Sequence, residues 1–336
     1  MTTIDATMSA VIESALRAAT RAPSVHNTQP WRFVTGPSHV ELHLDRDRIL
    51  AVADPDSREA RLSCGAALFT LWLALRAGGR GAVVDLLPDT DRPDFLATVR
   101  ITGERAASPE LDTLAAAIDR RITNRRPFAQ RAVPAPDRWA LVRAAESEGG
   151  QLLLLDDPRG LGALAVLLRR ADHLQEDDPD YQVELRKWTV ERAGCDDGVP
   201  LSAGGPRPLG GNLLALRRYH SDDATVVRSF EQDPLVAVLA TSGDTVRDQV
   251  RAGQALQRVL LTAAAAGLSA SFLSQPMEVP FTRGALRQLI GGRDHPQTVL
   301  RLGYGQSLAR TKRRSVAAVS DLPVHDTVVG EKESDT

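Results

Sequence analysis

Two apolar segments of the chain open with similar motifs, and this internal repeat constrains the fold more than any other feature of the sequence. The first opens with Cys64-Gly65-Ala66-Ala67-Leu68 and the second with Ala252-Gly253-Gln254-Ala255-Leu256. Each segment ends at a glycine, Gly78 and Gly267 respectively, and a strand-like stretch follows each glycine. A repeat at a fixed offset indicates two related structural units. We therefore expect two similar halves within one chain.

The periodicity of apolar residues predicts a mixture of helices and strands. Helical spacing is found at 4–21, 61–77, 109–120, 136–147, 158–173 and 244–266. Strand-like runs occupy 31–35, 39–44, 82–87, 95–101, 151–155, 235–240, 268–273 and 298–302. The predicted division is an N-terminal half over 1–107 and a C-terminal half over 108–324, with a flexible tail over 325–336. A polar, Gly- and Pro-rich stretch at 172–211 is predicted to be a lid-like insertion.

Charge and composition indicate an ordinary soluble protein. The 336 residues carry a net charge of −2, with 43% hydrophobic and 25% charged residues. This balance offers no basic field for nucleic acid or anionic lipid, and no apolar run is long enough to span a membrane. The two cysteines, Cys64 and Cys195, lack CxxC spacing. A reducing, cytoplasmic location is the expectation.

A polar loop bracketed by Pro23 and Pro30 follows the first predicted helix. Five of its side chains can form hydrogen bonds: Ser24, His26, Asn27, Thr28 and Gln29. The two prolines restrict the backbone on either side, which favours a preformed arrangement of these side chains. One interpretation is a turn that only satisfies its own backbone. The other is one wall of a binding site.

Two basic clusters are candidates for anion binding. The first covers 120–126, with four arginines, and the second covers 310–314. The planar guanidinium of arginine suits a phosphate, and the hydroxyl of Thr123 adds a donor. A solvated helix end is the alternative for the first cluster. The two clusters could converge on one phosphate if their strands were neighbours.

Several common catalytic motifs are missing from the sequence. It contains no GxGxxG motif after a strand, no GxxxxGK[ST] motif and no GxSxG motif. His39 and His43 are close in the chain but lack a third metal ligand. His26 could act as an acid or base, or only as a hydrogen-bonding group. Cys64 is interpreted as a small core residue.

The loop 22–33 resembles the PSxxNxQPWxF loop of FMN-dependent nitroreductases. Three further matches follow in order: Arg121–Arg125 resembles the RxSxR/K segment, Gly267–Ser271 the GLxS helix end, and Leu302–Gly305 the end of a strand. In that family the phosphate segment precedes the loop, whereas here it follows the loop by roughly 100 residues. The chain thus resembles a fused, duplicated nitroreductase in which each half kept one part, similar to the Acg subfamily.

The resemblance implies a fold, a cofactor and a set of site residues. The implied fold is α+β, a sandwich with a mostly antiparallel sheet whose two halves form an intramolecular pseudo-dimer. The cofactor would be FMN, with its phosphate held by Arg121, Thr123, Arg125, Lys312 and Arg314. Contacts to the ring and ribityl chain would come from Pro23, Ser24 and Asn27. The strip near the reactive edge of the ring would be Leu273, Ser274 and Gln275.

Three functions remain open at the level of sequence. An oxidoreductase would pass hydride from NAD(P)H through FMN to a planar acceptor such as a nitroaromatic or a quinone. An FMN-storage protein would keep the flavin under the 172–211 insertion and turn nothing over. A scaffold without flavin would leave the loop and both basic clusters without a purpose. A monomer or weak homodimer is expected, with no nucleic acid and no membrane as partner.

Overall fold

The structure is a computed structural model that describes residues 6–189, 195–209, 213–214, 216–217, 219, 226–306, 308 and 310–322. The predicted tail at 325–336 and parts of the predicted insertion lie outside these residues. Helices are combined with two four-stranded antiparallel sheets, which makes the fold α+β, as predicted.

The N-terminal half is built on one antiparallel sheet of four strands. In chain order its elements are α1 (Ala6–Ala19), β1 (Trp31–Gly36), β2 (His39–Leu44), α2 (Arg58–Ala77), β3 (Arg80–Leu86) and β4 (Phe95–Glu104). The strands lie in the order β1-β2-β4-β3. Helix α2 is buried on most faces because its residues are almost entirely small or apolar. Its first turn is capped by Asp54, whose carboxylate accepts the N–H groups of Glu59 at 3.0 Å and Ala60 at 2.8 Å.

The C-terminal half contains a second four-stranded antiparallel sheet and a long insertion. Before the insertion come α3 (Pro109–Ala117), α4 (Ala135–Glu146) and β5 (Gln151–Leu155). The insertion contains α5 (Pro158–Glu176), α6 (Pro179–Lys187) and the short parallel pair β6 (Arg207–Pro208) and β7 (Val227–Arg228). After it come β8 (Leu235–Thr241), α7 (Val246–Ala265), β9 (Ser269–Phe272), α8 (Gln275–Glu278), α9 (Pro280–Leu289), β10 (His295–Gly303) and α10 (Val316–Val319).

The two sheets have the same topology. The second sheet has the order β5-β8-β10-β9, which matches β1-β2-β4-β3 strand for strand. In each half the long helix, α2 or α7, connects the second strand to the third. The difference lies between the first and second strands, where β1 and β2 form a tight hairpin but β5 and β8 are separated by the insertion. The two related halves predicted from the repeat are therefore present.

The repeated glycines lie where α2 and α7 pack against each other. A Cβ atom built on Gly65 would lie 2.9 Å from the Cα of Gly253, and one built on Gly253 would lie 2.7 Å from the Cα of Gly65. Arg61 Nη1 also donates to Gln249 Oε1 at 3.0 Å. Equivalent residues of the two halves thus meet, as in an isologous dimer interface. The halves form an intramolecular pseudo-dimer.

Candidate functional site

The Pro-bracketed loop between α1 and β1 has an unusual backbone. His26, Asn27 and Gln29 have positive φ angles of 47°, 56° and 52°, which are sterically unfavourable for residues that carry a Cβ atom. The N–H of Gln29 donates to Ser24 Oγ at 2.9 Å, which closes the loop on itself. Such strain persists only where the surrounding structure enforces it, and it favours a functional role for the loop.

Amide side chains of the loop connect it to two distant segments. Asn27 Nδ2 donates to the carbonyl oxygen of Gly198 at 3.0 Å. Gln29 is fully buried, and its Nε2 donates to the carbonyl oxygen of Asp196 at 2.9 Å. Gln29 Oε1 accepts the N–H of Arg314 at 2.9 Å. The loop therefore holds the insertion and the C-terminal segment in place.

The arginine segment predicted at 120–126 runs along the second sheet. Thr123 forms a parallel bridge with Ala270, whose carbonyl oxygen also accepts the N–H of Asn124 at 2.8 Å. Further on, the buried Arg301 donates from Nη2 to the carbonyl oxygen of Arg126 at 2.9 Å. The segment is extended and anchored at both ends, so its side chains have fixed directions.

The loop and the arginine segment face a common cavity of about 280 Å³, which we call the arginine cavity. Six of the predicted site residues line it: Pro23, Ser24, Asn27, Arg121, Thr123 and Arg125. Its lining also includes Arg310 and Arg313 from the second basic cluster, and Arg21 from the end of the first helical segment. The two basic clusters therefore do converge on one cavity.

Asp119, a carboxylate of this lining, pairs with Arg21 at 3.6 Å and Arg310 at 3.3 Å, which leaves the positive charges of Arg121 and Arg313. Within the described residues neither has a carboxylate partner, and the Nε atom of each lacks a hydrogen bond. Burial, together with the charge of Arg21, lowers the pKa of Arg121 to about 10. Burial and the charges of Arg121 and Arg21 lower the pKa of Arg313 to about 9. A bound anion would offset this repulsion, so the cavity suits a phosphate.

The other two predicted basic residues do not line the arginine cavity. Lys312 is exposed, with Nζ 4.0 Å from a carboxylate oxygen of Asp196. Arg314 lies 3.6 Å from the carboxylate of Asp45 and near the loop at Gln29. Between them in sequence, Arg313 is the side chain that reaches the cavity wall. Spacing in an irregular segment could not distinguish these neighbours.

A smaller space of about 50 Å³, which we call the inner cavity, continues from the arginine cavity. The two share the lining residues Pro23, Ser24, Thr123 and Arg125. From the predicted strip at 273–275, only Ser274 lines it. Leu273 is in the hydrophobic core, and its N–H donates a hydrogen bond to the carbonyl oxygen of Val299 at 2.9 Å. Gln275 is buried outside both linings.

A polar cluster that the sequence did not single out reaches the inner cavity through Arg217. Glu278 Oε2 accepts hydrogen bonds from Arg217 Nη2 at 2.7 Å, Gln175 Nε2 at 2.7 Å and the Tyr181 hydroxyl at 3.1 Å. All three donors come from the insertion. Burial opposes ionisation of Glu278, but the charge of Arg217 and the hydrogen bonds from Arg217 and Ser274 act in the opposite direction, and the pKa of the carboxyl is lowered. No local pattern reveals this cluster, because its members are separated by up to 103 residues.

Residues of the insertion line both cavities. Tyr219 packs on Arg125, whose guanidinium carbon lies 4.6 Å from the ring centroid, and meets His26 edge-on with centroids 6.0 Å apart. Arg125 Nη1 also donates to the carbonyl oxygen of Ala203 at 3.1 Å. Ala203 lies within the stretch 172–211 that was predicted to be a lid-like insertion, and Tyr219 lies beyond its predicted end; the role of this stretch as a lid stays a prediction.

Two buried polar atoms of the inner cavity have no partner within the described part of the chain. They are Oε2 of Glu59 and Nδ1 of His26. Burial and the charge of Arg217 lower the pKa of His26 to about 3, so the imidazole is neutral. Glu59 belongs to the first turn of α2, and its position in a charged run offered no sequence signal for this role.

The described residues contain no group of three or more His, Cys, Asp or Glu side chains that could hold a metal ion. His43 instead pairs with Glu41 at 2.8 Å. None of the described helices is both long enough and apolar enough to cross a membrane.

The chain is similar to curated proteins of Mycobacterium tuberculosis over nearly its whole length. It is 36% identical over 326 residues to "Putative NAD(P)H nitroreductase Rv3131", covering 93% of this chain and 91% of that protein. It is 31% identical over 333 residues to "Putative NAD(P)H nitroreductase acg", covering 94% and 97%. It is also 31% identical over 329 residues to "Uncharacterized protein Rv3127", covering 93% of each. No family model matches the chain.

Solved structures resemble the chain more distantly. A nitroreductase with bound FMN from Bacteroides fragilis has 14% identity and a TM-score of 0.38, covering 66% of this chain and 98% of that one. The NADPH:FMN oxidoreductase of Vibrio harveyi, complexed with NAD⁺, has 12% identity and a TM-score of 0.36, covering 67% and 79%. At these scores the two structures carry no inference about the site.

Proposed function

The chain belongs to the nitroreductase-like family that includes Acg of Mycobacterium tuberculosis, and on that premise we propose that it is an FMN-binding oxidoreductase. The FMN phosphate would occupy the arginine cavity and the flavin ring would extend into the inner cavity. Hydride would pass from NAD(P)H to a planar acceptor such as a nitroaromatic or a quinone. The name NAD(P)H nitroreductase belongs to those relatives; for this chain the activity is proposed.

The single observation that best supports FMN binding is the uncompensated charge at Arg121 and Arg313. Arg121 is buried and Arg313 half-buried, neither has a carboxylate partner among the described residues, and their charges repel each other unless an anion lies between them. A phosphate monoester carries up to two negative charges and can accept several of their N–H groups. Thr123 and Arg125 line the same cavity and add further donors.

Residues of the loop suit the uncharged part of the ligand. Asn27 lines the arginine cavity, and its Oδ1 is buried without a partner among the described residues. It could accept a hydrogen bond from a ribityl hydroxyl group. Pro23 and Ser24 line both cavities, a position suited to contacting the flavin where its ribityl chain joins the ring. The strained backbone keeps these contacts preformed, which reduces the entropy lost on binding.

When bound, FMN itself supplies the redox chemistry, which consists of accepting and releasing a hydride. The residues described above would bind, orient and shield the cofactor. No protein nucleophile is needed for this. Cys64 does not offer one, since it is fully buried in α2, where burial raises the pKa of its thiol.

FMN storage is a second candidate, favoured by the position of the insertion. Tyr219 and Arg217 line the inner cavity, whose volume of about 50 Å³ is smaller than a three-ring flavin, so these residues would have to shift even to admit the ring. A nicotinamide or acceptor could not stack on a ring in this space unless the insertion moved away. Arg217 is in turn held by the buried Glu278. These contacts support a closed site in which the flavin is kept from other reactants.

Anaerobic reduction of the FMN-loaded protein by NADPH distinguishes the two candidates. The purified protein should be yellow or take up added FMN; a colourless protein that fails to do so would refute both. Bleaching of the flavin absorbance at a rate that depends on NADPH concentration would support the oxidoreductase. An unchanged spectrum with NADPH and NADH, combined with full bleaching by dithionite, would support storage.

A further inference from the structure

A buried carboxyl group faces the inner cavity from the first turn of α2. Glu59 is 3% exposed, and its Oε2 has no hydrogen-bond partner in the part of the chain that the structure describes. The other oxygen, Oε1, accepts a hydrogen bond from Arg58 Nη2 at 2.9 Å. A buried polar atom without a partner is energetically costly. The unpaired oxygen therefore indicates a position for a ligand atom.

The surroundings of Glu59 disfavour its charged form. The titratable and charged groups near it are Arg58, Asp54, Glu278, Arg217 and, across the inner cavity, His26 and Arg125. Burial raises the pKa of Glu59 to about 8, the charge of Arg58 opposes the rise, and the charges of Glu278 and Asp54 add to it. The carboxyl group is consequently neutral at pH 7.

The hydrogen bond from Arg58 decides which oxygen carries the proton. An arginine side chain can only donate, so Oε1 must act as an acceptor. The hydrogen of the neutral carboxyl then belongs on Oε2, the oxygen of this lining residue for which the described residues offer no partner. Glu59 thus presents a hydrogen-bond donor to the inner cavity, whereas an ionised glutamate would present an acceptor.

We propose that Glu59 donates a hydrogen bond from Oε2 to an acceptor atom on the edge of the planar ring that enters the inner cavity. It selects rings whose edge carries carbonyl oxygens or unprotonated nitrogens, which an oxidised flavin ring has. The inference rests on the proposed FMN function, because it assigns a recognition residue to the ring end of that site. It requires no catalytic turnover.

Riboflavin is the appropriate probe, since it has the ring of FMN but no phosphate for the arginine cavity. Its affinity is measured by quenching of flavin fluorescence between about pH 6 and 9. The wild-type protein should lose affinity above about pH 8, by up to about tenfold per pH unit. Glu59→Gln keeps an acceptor for Arg58 and a donor for the ring, so its affinity should be close to wild type at pH 7 and independent of pH. Glu59→Leu should weaken binding about three- to tenfold at pH 7.

Glu148→Gln is the matched control. Like Glu59, Glu148 is paired with an arginine, Arg258, at 2.9 Å. Glu148 is partly buried and lies outside both cavities. This variant should retain the wild-type pH dependence. An affinity that rises with pH, or a Glu59→Gln variant that keeps the wild-type pH profile, would overturn the proposal. Tight FMN binding in either case would leave the proposed function intact, whereas no binding of FMN to the wild-type protein would refute that function itself.

Discussion

Gly65 and Gly253 occupy equivalent positions in the two halves and meet where α2 packs on α7. Each lacks the Cβ atom that would collide with the backbone of the opposite helix, including the Cα of its counterpart at 2.9 or 2.7 Å. The close approach lets the two halves share one interface within a single chain. The candidate site depends on this interface, because the N-terminal half supplies the loop at Pro23–Trp31 and the C-terminal half supplies Arg121.

Replacing Gly253 by alanine should therefore destabilise the protein. The added methyl group meets backbone atoms that cannot rotate away, and overpacking of this kind costs about 1–3 kcal/mol. Gly284→Ala is the matched control, because a Cβ atom at this exposed helical position meets nothing within 4 Å. That control should be neutral or stabilising by up to about 1 kcal/mol. Urea unfolding measures both, and equal free energies of unfolding for the two variants would contradict the prediction.

Arg121→Ala and Arg313→Ala should each weaken FMN binding. The loss of one charged hydrogen bond to the phosphate corresponds to about 1.5–3 kcal/mol. Arg120→Ala is the control, since Arg120 neighbours Arg121 in sequence but is exposed and lies outside the arginine cavity. Isothermal titration calorimetry with FMN and with riboflavin, which lacks the phosphate, distinguishes contacts to the phosphate from contacts to the ring. Unchanged FMN affinity in both cavity variants would refute the phosphate assignment.

Glu278→Gln should release the insertion from the inner cavity. The change removes the charge that holds Arg217 and weakens the hydrogen bonds from Tyr181 and Gln175. Hydrogen exchange in α6 should accelerate, and FMN should dissociate about tenfold faster or more, as expected for a lost charged hydrogen bond. Asp177→Asn, in an exposed pair with His173, is the control. An unaltered exchange rate in α6 would show that Glu278 does not hold the insertion.

His26→Asn should make the protein less sensitive to acid. The pKa of His26 is lowered from 6.5 to about 3, so the folded state binds fewer protons than the unfolded state in that window. The contribution of His26 to the free energy of unfolding is therefore fully present above pH 6.5 and is lost as the pH falls towards 3. Between pH 7 and 5 the variant should lose about 2 kcal/mol less than wild type, and asparagine tolerates the positive φ of this position.

Urea unfolding at the two pH values tests this prediction. His173→Gln serves as the control because the side chain of His173 is 66% exposed. That variant should lose as much stability as the wild-type protein. Identical losses in all three proteins would exclude His26 as the acid-sensitive group.

The sequence predicted those parts of the protein that depend on local patterns. Most helices and strands of the two sheets follow from apolar periodicity, and the internal repeat predicted two related halves. The segment 120–126 was singled out because four arginines and Thr123 lie close together in the sequence, and the resemblance to nitroreductases then implied Arg121, Thr123 and Arg125. The loop at Pro23–Trp31 was found because its polar residues and prolines are consecutive.

Contacts between distant segments were decided by the tertiary structure alone. The sequence could not tell that Arg313 rather than Lys312 or Arg314 reaches the arginine cavity, since side-chain direction in an irregular segment depends on what packs around it. Nor could it assign Glu59, whose raised pKa comes from burial and from charges elsewhere in the chain. Local propensity therefore determined the elements and the basic clusters, whereas burial and long-range packing determined which side chains form the site.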